Sequence, residues 1–169
     1  MKEVTAYGPG AGRVAGGRRG FTTIELLIAL VIVGVLLALA LPNYQSSMRK
    51  SRRSEAISAL TTIQQAQERH RSSNASFATS LTDATTASPP GLGLAATRTP
   101  SGYYDLAIAS ADATSYVVTA TAVSGTSQAN DGACSVLAVR MSGGNLRYGS
   151  GSSIDWTAAD TDTLRCWAR

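Results

Sequence analysis

The sequence has little of what catalysis and metal binding require. It holds one histidine and two cysteines, and charged residues make up only 15% of its 169 residues, compared with the ~25% of an average globular domain. It has no paired metal ligands, phosphate-binding loop, dinucleotide fingerprint or G-x-S-x-G motif. We expect the lone His70, which stands among charged neighbours, to be a solvated helix residue. The sequence therefore predicts a protein that is not an enzyme and that needs no metal and no cofactor.

Acidic and basic residues are unevenly distributed, so the net charge of +4 does not describe the whole chain. Residues 1–20 carry +3, and four basic residues stand close together further on: Arg49, Lys50, Arg52 and Arg53. From residue 54 onward, seven arginines are set against nine acidic residues. This part lacks the basic stripe that is typical of nucleic-acid binders, so the sequence disfavours DNA as a partner. DNA binding would then require a local cluster of basic residues on the surface.

A long stretch without any charge, residues 26–48, is the most informative part of the sequence. As a helix that rises ~1.5 Å per residue, it is long enough to cross a bilayer. Arg18 and Arg19 precede it, which favours the cytoplasm for that end. Glu25 stands at its start, where an acid is costly unless it faces a partner. The stretch therefore predicts a membrane span with one functional carboxylate.

Helical periodicity continues beyond the uncharged stretch. Apolar residues recur at helical spacing, namely at Ala56, Ile57, Ala59, Leu60, Ile63 and Ala66. We predict one helix over residues 21–72, kinked at Gly34 and Pro42, because glycine weakens a helix and proline removes a hydrogen-bond donor. Its first part, residues 21–44, is apolar on every face and must be buried in lipid or protein.

A secretory signal peptide is the competing interpretation of this region. Ala38-Leu39-Ala40 fits a signal-peptidase pattern, and cleavage there would leave Leu41 as the first residue. Glu25 and the helical periodicity beyond Pro42 both oppose this interpretation.

The remaining residues, 73–169, predict a small α+β head. Residues 73–102 are rich in Ser, Thr, Ala, Gly and Pro and predict a long irregular loop. Alternating and β-branched residues then predict an antiparallel β-meander over residues 103–148, with strands at 103–110, 115–123, 134–141 and 146–148. Ser142-Gly143-Gly144-Asn145 predicts the last hairpin turn. We expect the small sheet to pack one face on the apolar stripe of the long helix.

Cys134 and Cys166 make an even pair in a chain with an export-type segment, which favours a disulfide bond. Two free thiols are the alternative. The bond would enclose a carboxy-terminal region, residues 134–166, whose tail has little periodicity of its own. We expect Trp156 and Trp167 to pack beneath that tail.

The stretch R-R-G-F-T-T-I-E-L-L-I-A, followed by Gly34, Pro42 and Tyr44, resembles the amino terminus of type IVa-like pilins. The G-Y-Y-D-L segment after the loop resembles minor pilins. The resemblance implies the pilin fold, a prepilin leader over residues 1–20, and cleavage by a prepilin peptidase between Gly20 and Phe21. It further implies N-methylation of Phe21, and a surface position for the loop over residues 73–102.

The same resemblance implies a location and partners. The chain would be held in the bacterial inner membrane by one span, with its head in the periplasm, and would later join an extracellular filament that serves adhesion, twitching motility or DNA uptake. Other pilin subunits, the prepilin peptidase and the inner-membrane assembly platform would be its partners. A pseudopilin of a type II secretion system is one alternative. A minor pilin that binds DNA or a surface receptor is another.

Glu25 would be the fifth residue of the processed chain, one helical turn from the new α-amino group. That amine has a pKa of about 8 and is charged at neutral pH. We therefore predict that Glu25 pairs with its own amino terminus or with that of a neighbouring subunit, and that the pair sets the stagger between helices. The alternative is that Glu25 only complements the helix macrodipole.

The basic cluster at residues 49–53 also leaves alternatives open. We expect it to be a solvated helix turn. Contact with acidic patches of neighbouring subunits or with lipid headgroups is the other interpretation.

Overall fold

The computed structural model describes residues 20–163 and 165–167. The chain divides into two compact units, Met1–Leu41 and Pro42–Arg169. We call the described part of the first unit, residues 20–41, the amino-terminal segment, and we call the second unit the head unit. The predicted leader lies outside the described residues, apart from Gly20.

One α-helix, α1, runs over Thr23–Arg71 and includes Pro42, the first residue of the head unit. The hydroxyl of Thr22 accepts a hydrogen bond from the backbone N–H of Glu25 at 3.3 Å, as an N-cap does. Arg69 and Arg71 stand in the last turn, where positive charge complements the helix dipole. The kinks expected at Gly34 and Pro42 stay predictions.

Four strands follow in one antiparallel sheet whose spatial order is the chain order. They are β1 (Tyr104–Ala111), β2 (Ser115–Ala122), β3 (Val136–Ser142) and β4 (Asn145–Ser150). Each begins and ends within two residues of the segment that the sequence pattern indicated. Gly143 and Gly144, with φ of 55° and 84°, form the β3–β4 turn, whose two left-handed positions favour glycine.

The core of the head unit lies between α1 and one face of the sheet. The helix contributes Ala56, Leu60, Ile63 and Ala66, and the sheet contributes Tyr104, Leu106, Tyr116, Val118, Ala120, Leu137 and Val139. These strand residues alternate with outward-facing ones, as the two-residue period of a half-buried strand requires. The predicted α+β fold, with a long helix packed on a small antiparallel sheet, is confirmed.

The segment between α1 and β1 has no helix or strand of its own, yet part of it is buried. Phe77, Ala78, Leu81 and Leu92 join the core. The fully buried side chain of Gln67 donates to the carbonyl of Ala78 at 2.8 Å and accepts from its N–H at 2.9 Å. The side-chain amide of Gln67 thus satisfies both backbone polar groups of Ala78 and fixes the segment onto the helix.

The tail after β4 lies over the sheet and is tied down by the expected disulfide between Cys134 and Cys166. The indole of Trp167 donates to the carbonyl of Gly149 at 2.9 Å, and its ring lies 4.7 Å from the ring of Tyr148. Ile154 and Trp156 pack so closely over Gly149 that a Cβ there would stand 2.6 Å from a methyl of Ile154. Both tryptophans therefore hold the tail on β4.

The expectation for His70 is wrong. Its side chain is buried, and neither ring nitrogen has a hydrogen-bond partner among the described residues. The reason is its position on the helix: the stripe that buries Leu60, Ile63 and Gln67 passes through residue 70 next. Charged neighbours in the sequence did not reveal this, because they lie on other faces of the same turn.

Candidate assembly segment and head surfaces

The amino-terminal segment exposes its apolar side chains on all sides. Its large hydrophobic residues are at least 50% exposed; they are Phe21, Ile24, Leu26, Leu27, Ile28, Leu30, Val31, Ile32, Val33, Val35, Leu36, Leu37, Leu39 and Leu41. By length and composition, the helix that contains them could cross a membrane. Apolar surface of this extent needs lipid or other protein around it.

Gly20 and Phe21 are exposed and precede the first turn of α1. The peptide bond between them is therefore outside regular structure, where a peptidase can reach it. The assignment of this bond as the cleavage site, and of Phe21 as the methylated residue, stays a prediction.

Glu25 occupies the third position of α1. Its side chain is exposed and makes no hydrogen bond or ion pair with any residue that the structure describes. Thr22 and Glu25 have the spacing of a capping box, of which the structure forms only the half in which Thr22 accepts. The carboxylate is thus left available to a group from outside this part of the chain.

Small residues interrupt the apolar surface of the amino-terminal segment, namely Ala29, Gly34, Ala38 and Ala40. A Cβ placed on Gly34 would meet nothing within 4 Å. Small side chains allow two apolar helices to approach closely. The segment therefore has the surface that helix-to-helix packing requires.

Two members of the basic cluster are used inside the head unit. Arg53 forms a two-pronged ion pair with Asp131, with distances of 2.6 and 2.7 Å. The guanidinium of Arg52 stacks 3.5 Å from the ring centre of Tyr103 and donates to the hydroxyl of Ser127 at 2.6 Å. Both arginines fix the segment between β2 and β3 to α1, so the expectation of a wholly solvated turn is wrong for them.

A buried polar network supports this attachment. The fully buried amide of Gln128 donates to the hydroxyl of Tyr104 and to the carboxylate of Asp131, each at 2.9 Å. Tyr104 in turn donates to the carbonyl of Cys134 at 3.0 Å. Burial raises the pKa of Tyr104 to about 12. The phenol therefore stays neutral and keeps donating at physiological pH.

The outward face of the sheet carries a basic and aromatic patch that the sequence pattern did not indicate. Arg140 on β3 stands directly opposite Arg147 on β4. The guanidinium of Arg140 lies 6.0 Å from the ring centre of Trp156, while Arg147 donates to the carbonyls of Trp156 and Ala158. We call Arg140, Arg147 and Trp156 the outer patch. One signal was available: the two arginines are equally spaced from the Gly143-Gly144 turn.

The strand residues around the outer patch add no negative charge. The other outward-facing positions of β2, β3 and β4 hold no acid; they are Ser115, Val117, Thr119, Thr121, Val136, Ala138, Ser142, Asn145 and Gly149. Asp155 precedes Trp156 in the tail, and hydrogen bonds from Thr157, with a smaller effect of Arg147, lower its pKa. Two arginines therefore stand beside an aromatic ring on this face of the sheet. This combination suits phosphate contact and base stacking.

No group of three potential metal ligands among His, Cys, Asp and Glu comes together within residues 20–163 and 165–167. No metal chemistry is therefore assigned to the described part of the chain.

Two family models match the chain, and they meet where its two compact units meet. The model described as type IV minor pilin ComP, DNA uptake sequence receptor, matches residues 42–138. The model described as prokaryotic N-terminal methylation motif matches residues 16–41.

Individual relatives include pilins and secretion proteins. The chain is 31% identical over 97 residues to the type II secretion system core protein G of Escherichia coli K12, which covers 54% of this chain and 64% of that protein. It is 44% identical over 50 residues to the type IV major pilin PilA of Myxococcus xanthus, which covers 30% of this chain and 23% of that protein. It is 38% identical over 73 residues to the type IV major pilin PilE1 of Neisseria gonorrhoeae, which covers 43% of this chain and 44% of that protein. The chain thus matches less than two thirds of the length of each of these relatives.

Proposed function

This chain belongs to the family of type IV minor pilins described as ComP, DNA uptake sequence receptor, and we propose that it is a minor pilus subunit whose head unit binds DNA. One observation carries the proposal: the family match extends over the second half of α1, the following loop, β1, β2 and the start of β3. The match therefore concerns the head unit, while the amino-terminal methylation motif concerns the segment before it.

The proposed life cycle starts in the membrane. A prepilin peptidase cleaves between Gly20 and Phe21, and the new amino terminus at Phe21 is methylated. The processed chain spans the inner membrane once, with its head in the periplasm. An assembly platform then moves it into a filament, where its exposed apolar side chains leave lipid and pack on those of other pilin subunits. The methylation-motif match and the exposed apolar helix support this sequence of events.

Glu25 is proposed to act during that transfer. Its carboxylate has no partner among the described residues, and the charged amine of Phe21 in a neighbouring subunit is of opposite sign. Two opposite charges removed from water attract strongly, and leaving either one alone costs several kcal/mol. The pair would therefore select the stagger in which every carboxylate meets an amine. A role in packing, rather than catalysis, follows for the chain as a whole.

For DNA contact, the geometry favours the outer patch. From residue 54 onward acidic residues outnumber basic ones, but charge acts mainly within about 10 Å at 0.1 M salt, so the local arrangement of charges outweighs their sum. Arg140 and Arg147 stand side by side on the sheet face that is turned away from α1, where both are half-buried, and Trp156 of the tail lies beside Arg140. Residues 140, 147 and 156 lie beyond the part matched by the family model, so this assignment depends on the geometry alone.

The test is DNA binding by the full processed chain in detergent micelles. Arg140→Gln removes a charge that makes no hydrogen bond within the described residues, so the fold should be kept. We expect weaker binding and a salt dependence whose slope falls by about 1, as loss of one phosphate contact predicts. Arg69→Gln, an exposed change of equal charge on α1, is the matched control and should bind like the parent. Equal binding by both variants would remove the outer patch from the proposal.

A second candidate, a pseudopilin of a type II secretion system, is favoured by the 97-residue match to core protein G. Deleting the gene separates the two. Loss of DNA uptake, with the protein present in sheared surface filaments, supports the minor pilin. Loss of protein secretion without its presence in such filaments supports the pseudopilin.

A further inference from the structure

A shallow depression of about 370 Å³ lies on the head unit a few residues after the apolar segment ends. It is lined by Tyr44, Gln45, Met48, Arg49, Arg52 and Ser127. The lining thus combines two guanidinium groups, one amide, the hydroxyl of Ser127, one phenol ring and one thioether, and it contains no acid. Its volume falls within the range of ligand sites, roughly 300–1,000 Å³.

The two arginines contribute differently to this depression. Arg52 is held in place by its stack on Tyr103 and its hydrogen bond to Ser127, and its remaining N–H groups are left in a fixed orientation. Arg49 precedes it by three residues, so both lie on one helix face, and Arg49 has no partner among the described residues. One fixed and one free guanidinium on the same face form an arrangement that a single anionic group can bridge.

Apolar surface lies beside these charges. Tyr44 is 65% exposed and Met48 is 37% exposed, and both line the same depression as the arginines. A ligand that satisfies the whole lining must therefore be amphipathic, with an anionic end and an apolar end. Free phosphate or the backbone of a DNA duplex would leave the apolar part without contact.

The position along the chain identifies such a ligand. Tyr44 follows Leu41, the last residue of the apolar segment, by three residues, and Arg52 follows it by eleven. At ~1.5 Å per helical residue, these side chains lie at most about 5 and 16 Å beyond the end of the apolar segment. The polar headgroup layer is about 5–7 Å thick on each side of the hydrocarbon core, so Tyr44 lies within its reach, and the long side chain of Arg52 can extend back towards it.

We propose that this depression binds the headgroup of an anionic glycerophospholipid while the pilin is stored in the membrane. The phosphate accepts hydrogen bonds from Arg49, Arg52 and the hydroxyl of Ser127, and Tyr44 and Met48 contact the glycerol and the upper part of the acyl chains. The inference rests on the proposed function, since it requires that the chain resides in a bilayer before assembly. If the headgroup is bound in the membrane, it must be released when the subunit enters the filament.

The experiment uses the full processed chain, extracted in a neutral detergent and examined by native mass spectrometry for retained lipid. Phosphatidylglycerol and the zwitterionic phosphatidylcholine are added in turn, with matched acyl chains. We expect preferential retention of one phosphatidylglycerol, weakened about fivefold by Arg49→Gln, which is the factor that one basic side chain contributes at an anionic lipid surface. Arg49→Gln together with Arg52→Gln should reduce retention further.

Lys50→Gln together with Arg69→Gln is the matched control. Both residues are exposed, neither lines the depression, and the pair removes the same charge as the double arginine variant. Retention like that of the parent supports a site rather than general attraction. Since Arg52 also holds Tyr103, the thermal midpoint of each variant is measured. Arg49 makes no hydrogen bond or ion pair with the described residues, so Arg49→Gln remains decisive if the double variant is destabilised.

Three results would overturn the inference: equal retention of the two lipids, equal loss in the control, or displacement of phosphatidylglycerol by a DNA duplex whose own binding requires Arg49. If lipid binding fails while the chain still resists carbonate extraction from membranes and enters pili, only this inference fails. If the chain does not reside in membranes at all, the proposed function fails with it.

Discussion

Leu36 and Leu60 belong to the same helix and have opposite surroundings. Leu36, in the amino-terminal segment, is 60% exposed, whereas Leu60, in the head unit, is fully buried beneath the sheet. Charged groups show the same contrast, because Arg53 is paired with Asp131 while Glu25 has no partner among the described residues. The core of the head unit is completed within the chain, whereas the apolar side chains of the amino-terminal segment stay exposed.

This contrast separates folding from assembly. Changes in the amino-terminal segment should alter filament formation and leave the unfolding of the head unchanged, because that segment contributes nothing to the head's core. Changes in the core of the head should do the reverse at first, and reach assembly only through loss of folded protein.

The largest effect is expected for Glu25→Gln. Glutamine keeps the size of the side chain and its capacity to cap the helix, but it removes the charge. If the carboxylate pairs with a neighbour's amine in the filament core, its loss costs about 3–5 kcal/mol per contact, or more than a hundredfold in incorporation. The measurement is competition between tagged parent and variant subunits for places in sheared pili.

Thr22→Ala is the control for Glu25→Gln. It removes the hydroxyl that caps the helix and keeps the charge, and we expect it to cost about 1 kcal/mol and to reduce incorporation only mildly. The role of Glu25 would be that of a helix cap, and not of a register device, if Thr22→Ala proved as harmful as Glu25→Gln.

A smaller effect, confined to the head unit, is expected when Cys134 and Cys166 are both replaced by serine. Their bond spans a sequence separation of 32 residues. On the chain-entropy model, closing a loop of that length contributes about 4 kcal/mol to stability. Urea unfolding of the full chain in micelles should show this loss, while membrane residence stays as in the parent. An unchanged unfolding midpoint would mean that Trp167 and the tail contacts hold the region without the bond.

Much of the fold could be predicted from the sequence, because its signals are local. The 3.6-residue period that ends in Ala66 marks α1, and the alternation around Tyr104 and Tyr116 marks β1 and β2. Positive φ at Gly143 and Gly144 follows from a two-residue turn that needs glycine. These features depend on neighbours in the sequence, and period alone was enough to find them.

Features that depend on tertiary contacts were not predictable in the same way. Gln67 reaches Ala78 across 11 residues, and Arg53 reaches Asp131 across 78. No periodic signal marks such pairs, which is why the partial burial of the loop was not foreseen and the whole basic cluster was expected to be solvated. His70 shows an error of another kind, since its burial does follow from the helix period once the stripe is extended by one turn.

The candidate sites also divide into one that local sequence signals reveal and one that depends on tertiary contacts. Glu25 could be singled out because an acid beside an uncharged stretch is rare and costly in itself. The outer patch could not, because it requires the register that sets Arg140 opposite Arg147 and the tail that brings Trp156 back onto the sheet. Charge counting over the head pointed away from DNA for that reason.

A matched pair of leucine substitutions tests the contrast between the two regions directly. Leu60→Ala empties a fully buried position and should lower the free energy of unfolding of the head by about 3 kcal/mol. Leu36→Ala, the same chemical change at an exposed position, should leave that free energy unchanged and reduce packing in the filament instead. Thermal unfolding of the head and the yield of sheared pili are the two measurements. A loss of head stability in Leu36→Ala would show that the segment supports the head's core after all.

The smallest effect concerns a carboxylate that, unlike Glu25, finds its donors nearby. Asp112 accepts hydrogen bonds from the backbone N–H groups and the hydroxyls of Thr114 and Ser115 in the β1–β2 turn. These bonds, the one from the Ser115 hydroxyl above all, lower its pKa from 3.8 to about 2. Because the folded value lies below the unfolded one, the ionised carboxylate stabilises the head above pH 3.8, and this contribution is lost as the pH falls through about 2.

Asp112→Ala should therefore have a lower urea midpoint than the parent at pH 7, with a difference that narrows between pH 4 and pH 2. Asp83→Ala, which removes an exposed carboxylate that accepts no hydrogen bond among the described residues, should follow the parent throughout. A difference for Asp112→Ala that stays constant down to pH 2 would place the stabilisation in the shape of the turn, not in the charge.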